Sequence, residues 1–134
     1  GQYAPTALDD SCIACGPGFA TGVAFGALTC SDCGPGYYSN GQSVDCLDCV
    51  AGRASGTRAA SCILCEPGTY ASEPTASFCQ VCDAGTFVDR NGSASCVDCP
   101  PGTISVTRSS VCSKCDPGFY TDIPGLSACK ACPA

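Results

Sequence analysis

All sixteen cysteines of this 134-residue chain fall in Cys-x-x-Cys pairs, and nothing else in the sequence constrains its fold as strongly. The eight pairs are Cys12/Cys15, Cys30/Cys33, Cys46/Cys49, Cys62/Cys65, Cys79/Cys82, Cys96/Cys99, Cys112/Cys115 and Cys129/Cys132. Successive pairs begin 18, 16, 16, 17, 17, 16 and 17 residues apart. A period this strict describes an array of small, similar modules rather than one globular domain. The boundaries follow the pairs. A leader covers 1–11, seven repeats cover 12–29, 30–45, 46–61, 62–78, 79–95, 96–111 and 112–128, and 129–134 begins an eighth.

Each module has the same local grammar. A glycine stands three residues after the second cysteine, at Gly18, Gly36, Gly52, Gly68, Gly85, Gly102 and Gly118. Proline precedes it at Pro17, Pro35, Pro67, Pro101 and Pro117. Proline presets φ at one central turn position and glycine accepts positive φ at the next. A bulky residue then opens an extended stretch in most modules (Phe19, Tyr37-Tyr38, Tyr70, Phe87, Ile104, Phe119-Tyr120), and Arg53-Ala54 breaks the pattern in the third. Asn40-Gly41 and Asn91-Gly92 add a hairpin-turn signal in mid-module. The expected fold class is small, disulfide-rich, irregular β: a linear array of short hairpin modules with no compact core. Val23-Ala24-Phe25 and Ala27-Leu28 are ambiguous between strand and helix.

Composition narrows the function. Five Phe and five Tyr are the only aromatics, and Met, Trp and His are absent. Such a chain has little to fill a core, so covalent links must compensate. Without histidine there is no His-dependent triad and no His-ligated metal. A lone Ser or Asp is not a site, so an enzyme is not expected, nor a cofactor. Twelve acids against six bases leave a net charge of −6, which offers nucleic acid no basic footprint. No run approaches the ~20 apolar residues of a membrane span. Asp32, Asp48 and Asp98 recur inside cysteine pairs but lack the Asp-rich loop of an EF-hand, and read as solvated turn carboxylates.

Three chemistries compete for the cysteines: disulfides, all-thiolate zinc and dithiol redox catalysis. Zinc shared by two pairs would make alternate spacers differ, yet all spacers share one length range and one grammar. Redox catalysis needs one special dithiol, not eight near-copies. Disulfides are favoured. Two connectivities remain. One joins the second cysteine of each pair to the first of the next: Cys15–Cys30, Cys33–Cys46, Cys49–Cys62, Cys65–Cys79, Cys82–Cys96, Cys99–Cys112 and Cys115–Cys129. It leaves Cys12 and Cys132 for neighbouring repeats. The other links pairs in blocks, Cys12–Cys30 with Cys15–Cys33 and so on, using all sixteen but leaving every second spacer unlinked. Periodicity favours the first. Cys132-Pro133-Ala134 stops one residue before the glycine the pattern calls for, so repeats are expected to continue beyond the chain.

The pattern Cys-x-x-Cys-x-Pro-Gly-x-Tyr, clearest at Cys65-Glu66-Pro67-Gly68-Thr69-Tyr70 and Cys115-Asp116-Pro117-Gly118-Phe119-Tyr120, resembles the ephrin-receptor-like cysteine-rich repeat. It is also similar to the smaller loop module of tumour-necrosis-factor-receptor domains. The resemblance runs from Cys12 to Pro133 and implies disulfides, secretion and an elongated shape, as in receptor ectodomains and in long surface proteins of algae and protists. Receptor domains mix module types, whereas this array is nearly pure. The expected function is therefore a structural segment of an extracellular rod, filament or matrix protein. A ligand-binding receptor ectodomain is the alternative, with Tyr37, Tyr38, Phe119 and Tyr120 as candidate contacts. Asn91-Gly92-Ser93 is the one N-glycosylation sequon. The expected partners are further repeats of the same or a neighbouring chain, with carbohydrate attached covalently.

Overall fold

The computed structural model describes residues 2–3, 13–21, 30–41 and 44–133. Cys12 and the ambiguous segments Val23-Ala24-Phe25 and Ala27-Leu28 lie outside them. The described residues contain no helix and eight two-stranded antiparallel sheets, each from strands of two residues. In chain order these pair β1 (Gln2–Tyr3) with β2 (Ile13–Ala14), β3 (Phe19–Ala20) with β4 (Ser31–Asp32), and β5 (Tyr37–Tyr38) with β6 (Leu47–Asp48). Next come β7 (Arg53–Ala54) with β8 (Ile63–Leu64), β9 (Thr69–Tyr70) with β10 (Gln80–Val81), and β11 (Thr86–Phe87) with β12 (Val97–Asp98). The last two are β13 (Thr103–Ile104) with β14 (Ser113–Lys114) and β15 (Phe119–Tyr120) with β16 (Lys130–Ala131).

One register governs all of them. From β3 onward, the two residues after the turn glycine pair with the two residues enclosed by the next Cys-x-x-Cys, as in Tyr37↔Asp48 and Tyr38↔Leu47. The enclosed pair is thus the second strand, and the disulfide closes the hairpin at its base. The tight turn forms where the sequence places it. At Pro35-Gly36 the Tyr37 N–H donates to the Gly34 carbonyl at 3.2 Å, with Gly36 at φ +85°. Glycine meets that left-handed requirement without the clash a Cβ would bring.

One expectation is corrected. Asn40-Gly41 and Asn91-Gly92 do not join paired strands through a two-residue turn. Eight residues separate β5 from β6 and nine separate β11 from β12, and the Asn-Gly steps sit within those long connections. Gln2–Tyr3, within the segment assigned to a leader, form β1, whose pairing Gln2↔Ala14 and Tyr3↔Ile13 repeats the register of the other hairpins.

The interior is a row of disulfides and small side chains. Cys33, Cys49, Cys65, Cys82 and Cys99 are essentially inaccessible, and Ala20, Ala54, Ala71 and Val88 are the buried aliphatics beside them. No helix of the described residues is long and apolar enough to cross a membrane.

Candidate functional site

The site to be explained is the cysteine node and the interface built around it. Seven disulfides are present: Cys15–Cys30, Cys33–Cys46, Cys49–Cys62, Cys65–Cys79, Cys82–Cys96, Cys99–Cys112 and Cys115–Cys129. Each closes a loop of 13 to 15 residues, numbered here from the first to the seventh loop. Cys132 is a free, exposed thiol. The bonds lie side by side because each loop is stacked on the next by backbone hydrogen bonds in a fixed pattern.

The first rung runs from a turn glycine to the carbonyl three residues past the next turn glycine. Gly18 N–H donates to Ser39, Gly36 to Ser55, Gly52 to Ala71, Gly68 to Val88, Gly85 to Ser105 and Gly102 to Thr121, at 2.7 to 3.2 Å. The second returns from the loop tip to a cysteine of the preceding loop. Arg58, Thr75, Gly92, Arg108 and Gly125 donate their N–H groups to the carbonyls of Cys33, Cys49, Cys65, Cys82 and Cys99, at 2.8 to 2.9 Å. The tip residues reach these carbonyls in left-handed backbone, which Arg58, Thr75 and Arg108 adopt at φ 60° to 62° despite their side chains. Each tip also lies over the turn glycine two loops back. A Cβ on Gly36 would overlap the backbone carbonyl of Thr75. Contact therefore reaches the second neighbour as well as the first.

Small polar side chains complete this interface. Ser39, Ser55, Ser105 and Thr121 are buried, and each follows its turn glycine by three residues. Ser55 Oγ donates to the Tyr37 carbonyl at 2.9 Å, while Ser105 Oγ donates to the Thr86 carbonyl at 2.9 Å and accepts from Gly85 N–H at 3.0 Å. Reading the sequence for aromatics missed these positions. The signal was nonetheless there: Thr21, Ser39, Ser55, Ala71, Val88, Ser105 and Thr121 share one offset from the glycine, and none is larger than valine.

The residues singled out from sequence fall in different places. Tyr37, Phe119 and Tyr120 are exposed, while Tyr38 is half-buried against the following loop, bridging to Ala59. Asp32 pairs with Arg58 at 2.8 Å, a contact from loop tip back to an earlier strand, and Arg58 also lies 5.8 Å from the centre of the Phe19 ring. Asp48 and Asp98 are exposed strand residues. Asn91 is exposed at its loop tip, next to the Gly92 N–H that anchors the tip to Cys65. The structure does not bring these groups together. Among the described residues, no three His, Cys, Asp or Glu side chains are placed to hold a metal ion. One surface hollow lies between the second and third loops, lined by Tyr38, Asp48, Val50, Arg53, Ser61 and Cys62, and others are each lined by a single loop.

A family described as tyrosine-protein kinase ephrin type A/B receptor-like matches the chain over residues 52–99 and 71–111. No curated protein matches it. The loops flanking the matched segment carry the same turn, strand register and rungs.

Proposed function

We propose that this chain, a tandem array of ephrin-receptor-like cysteine-rich repeats, serves as a structural, non-catalytic segment of an extracellular rod or filament. Repeats of this family held by seven disulfides point to an extracellular domain, since such bonds persist in oxidising compartments. The observation that carries the structural reading is the rung pattern. The same donor and the same acceptor offset join every consecutive pair of loops from Gly18 to Thr121. A backbone interface that is the same at every step lets any number of loops stack in line, which is what a rod requires. Asn91, exposed within its Asn-Gly-Ser sequon, would carry an N-glycan in the secretory pathway.

The receptor reading rests on a specific observation too, the exposure of Tyr37, Phe119 and Tyr120. Two measurements separate the readings. Small-angle scattering should return a radius of gyration well above the ~14 Å of a compact chain of this length. Immunogold labelling of the native protein should then follow extracellular fibres or a surface coat at regular intervals. Label confined to intracellular compartments would overturn the proposal. Capture of one soluble protein partner, lost on Tyr37→Ala or Phe119→Ala, would favour the receptor.

A further inference from the structure

In each hairpin the first residue after the turn glycine stands opposite the second residue enclosed by the next cysteine pair, as in Tyr37↔Asp48 and Arg53↔Leu64. Directly opposed residues of an antiparallel pair point to the same side of the hairpin. In the second to sixth loops that side carries Asp48, Arg53, Val81, Asp98 and Lys114 in turn, all of them exposed. The sides adjoin from loop to loop. Asp48 and Arg53 line one hollow between the second and third loops. The tip two loops on meets this side at three hairpins: Arg58 at Asp32, Gly92 at Leu64 and Gly125 at Asp98.

The charges on this side are left over from the rest of the molecule. Four of the six basic side chains are engaged in ion pairs: Arg58 with Asp32, Arg90 with Asp89, Arg108 with Glu66 and Lys130 with Asp122. The remaining two, Arg53 and Lys114, both lie here, and among the described residues neither they nor Asp48 and Asp98 enter an ion pair. The other described acids without one, Asp45, Glu73, Asp83 and Asp116, stand outside the strands. From the second to the sixth loop the series is therefore negative, positive, neutral, negative, positive. Turned end for end about the fourth loop it becomes positive, negative, neutral, positive, negative. The series is its own complement when antiparallel, whereas parallel pairing in register sets like charge on like.

We propose that this side docks on the same side of a second copy, the two arrays running antiparallel about a two-fold axis through their fourth loops. Asp48 of each copy meets Lys114 of the other, Arg53 meets Asp98, and Val81 meets Val81. Each contact occurs in both directions, so the interface closes on itself as a dimer. Leu64 and Val81, 43 % and 42 % exposed, supply apolar area between the charges. The charges set the register and exclude the parallel alternative, because opposed like charges are costly across an interface. The pairing joins arrays side by side through the second to sixth loops alone. It goes beyond the structural reading of one array and does not depend on it.

The test is sedimentation equilibrium on the full 134-residue chain, with the seven disulfides of each variant confirmed by peptide mapping. The chain is made without its N-glycan, because Gly92, next to Asn91, packs on Leu64 at the border of this side. The unaltered chain should dimerise. Asp48→Lys and Lys114→Glu each set like charges opposite one another at both ends of the contact, and each should weaken dimerisation by at least about tenfold. The double variant Asp48→Lys/Lys114→Glu exchanges the two charges and keeps the net charge, so it should recover the dimer. An equal mixture of the two single variants should recover it too. An unaltered chain that stays monomeric would overturn the proposal, as would single variants that dimerise like the unaltered chain or a double variant that does not. Scattering on the monomeric Lys114→Glu variant reports separately whether the rod reading stands.

Discussion

Replacing Gly36 by alanine isolates the contact between a loop and its second neighbour. Gly36 sits at φ +85°, where alanine costs about 1–2 kcal/mol. Its Cβ would also overlap the carbonyl carbon and oxygen of Thr75 in the fourth loop, which is backbone and cannot swing aside. Moving that tip breaks the Thr75 N–H bond to the Cys49 carbonyl, at 2.8 Å, for roughly 1 kcal/mol more. The total is about 2–3 kcal/mol. Gly118 provides the internal control, since it has φ +88° but open space where its Cβ would go. There alanine meets only the backbone cost. Hydrogen exchange under native conditions reads this locally, which suits an array whose loops open separately. With about 1.4 kcal/mol per tenfold, exchange at the Thr75 and Ser55 amides should accelerate by roughly 30- to 150-fold in Gly36→Ala. Gly118→Ala should leave those amides untouched and accelerate the Cys132 amide by about tenfold. Unchanged protection at Thr75 in Gly36→Ala would refute the second-neighbour contact, as would equal local damage from the two substitutions.

Other consequences are open to measurement. Thr75→Gly should stabilise the fourth loop by about 1 kcal/mol, because a β-branched residue at φ 61° is strained and the tip's bond to Cys49 uses only backbone; slower exchange at its own amide is the readout. Ser105→Ala removes a hydroxyl that bonds both Thr86 and Gly85 and should cost about 1–2 kcal/mol, seen as faster exchange at Gly85. Arg58→Ala should change stability by less than about 1 kcal/mol, since the side chains of Arg58 and Asp32 are 63 % and 41 % exposed; a larger loss in a thermal melt would mean that the Phe19 contact matters more than the ion pair. Full reduction should unfold the array, as each loop of 13 to 15 residues contributes about 3 kcal/mol in the chain-entropy account, with collapse of the circular dichroism spectrum as the signal.

What the sequence determined by itself was local. The cysteine period set the module, and Pro35-Gly36 and its equivalents placed the turn, because a tight turn depends on the φ preferences of two adjacent residues. The covalent framework is short-range for the same reason: each disulfide spans at most 15 residues. Only the tertiary structure decided how one loop sits on the next. Asn40-Gly41 and Asn91-Gly92 carry a hairpin signal, yet strand pairing in their loops stops after two residues, as it does in the loops without that step. Gly92 anchors to Cys65 through its amide, a partner that no pattern within its own loop reveals. Ser39 and Ser55 look like surface residues in sequence and are buried only because the adjacent loop covers them. Arg58 and Thr75 would not be placed in left-handed backbone by their own preferences; the bond each tip makes to a preceding cysteine holds them there. Stacking pairs groups 18 or more residues apart through space, and propensity, which acts over neighbours in the chain, carries no information about that distance.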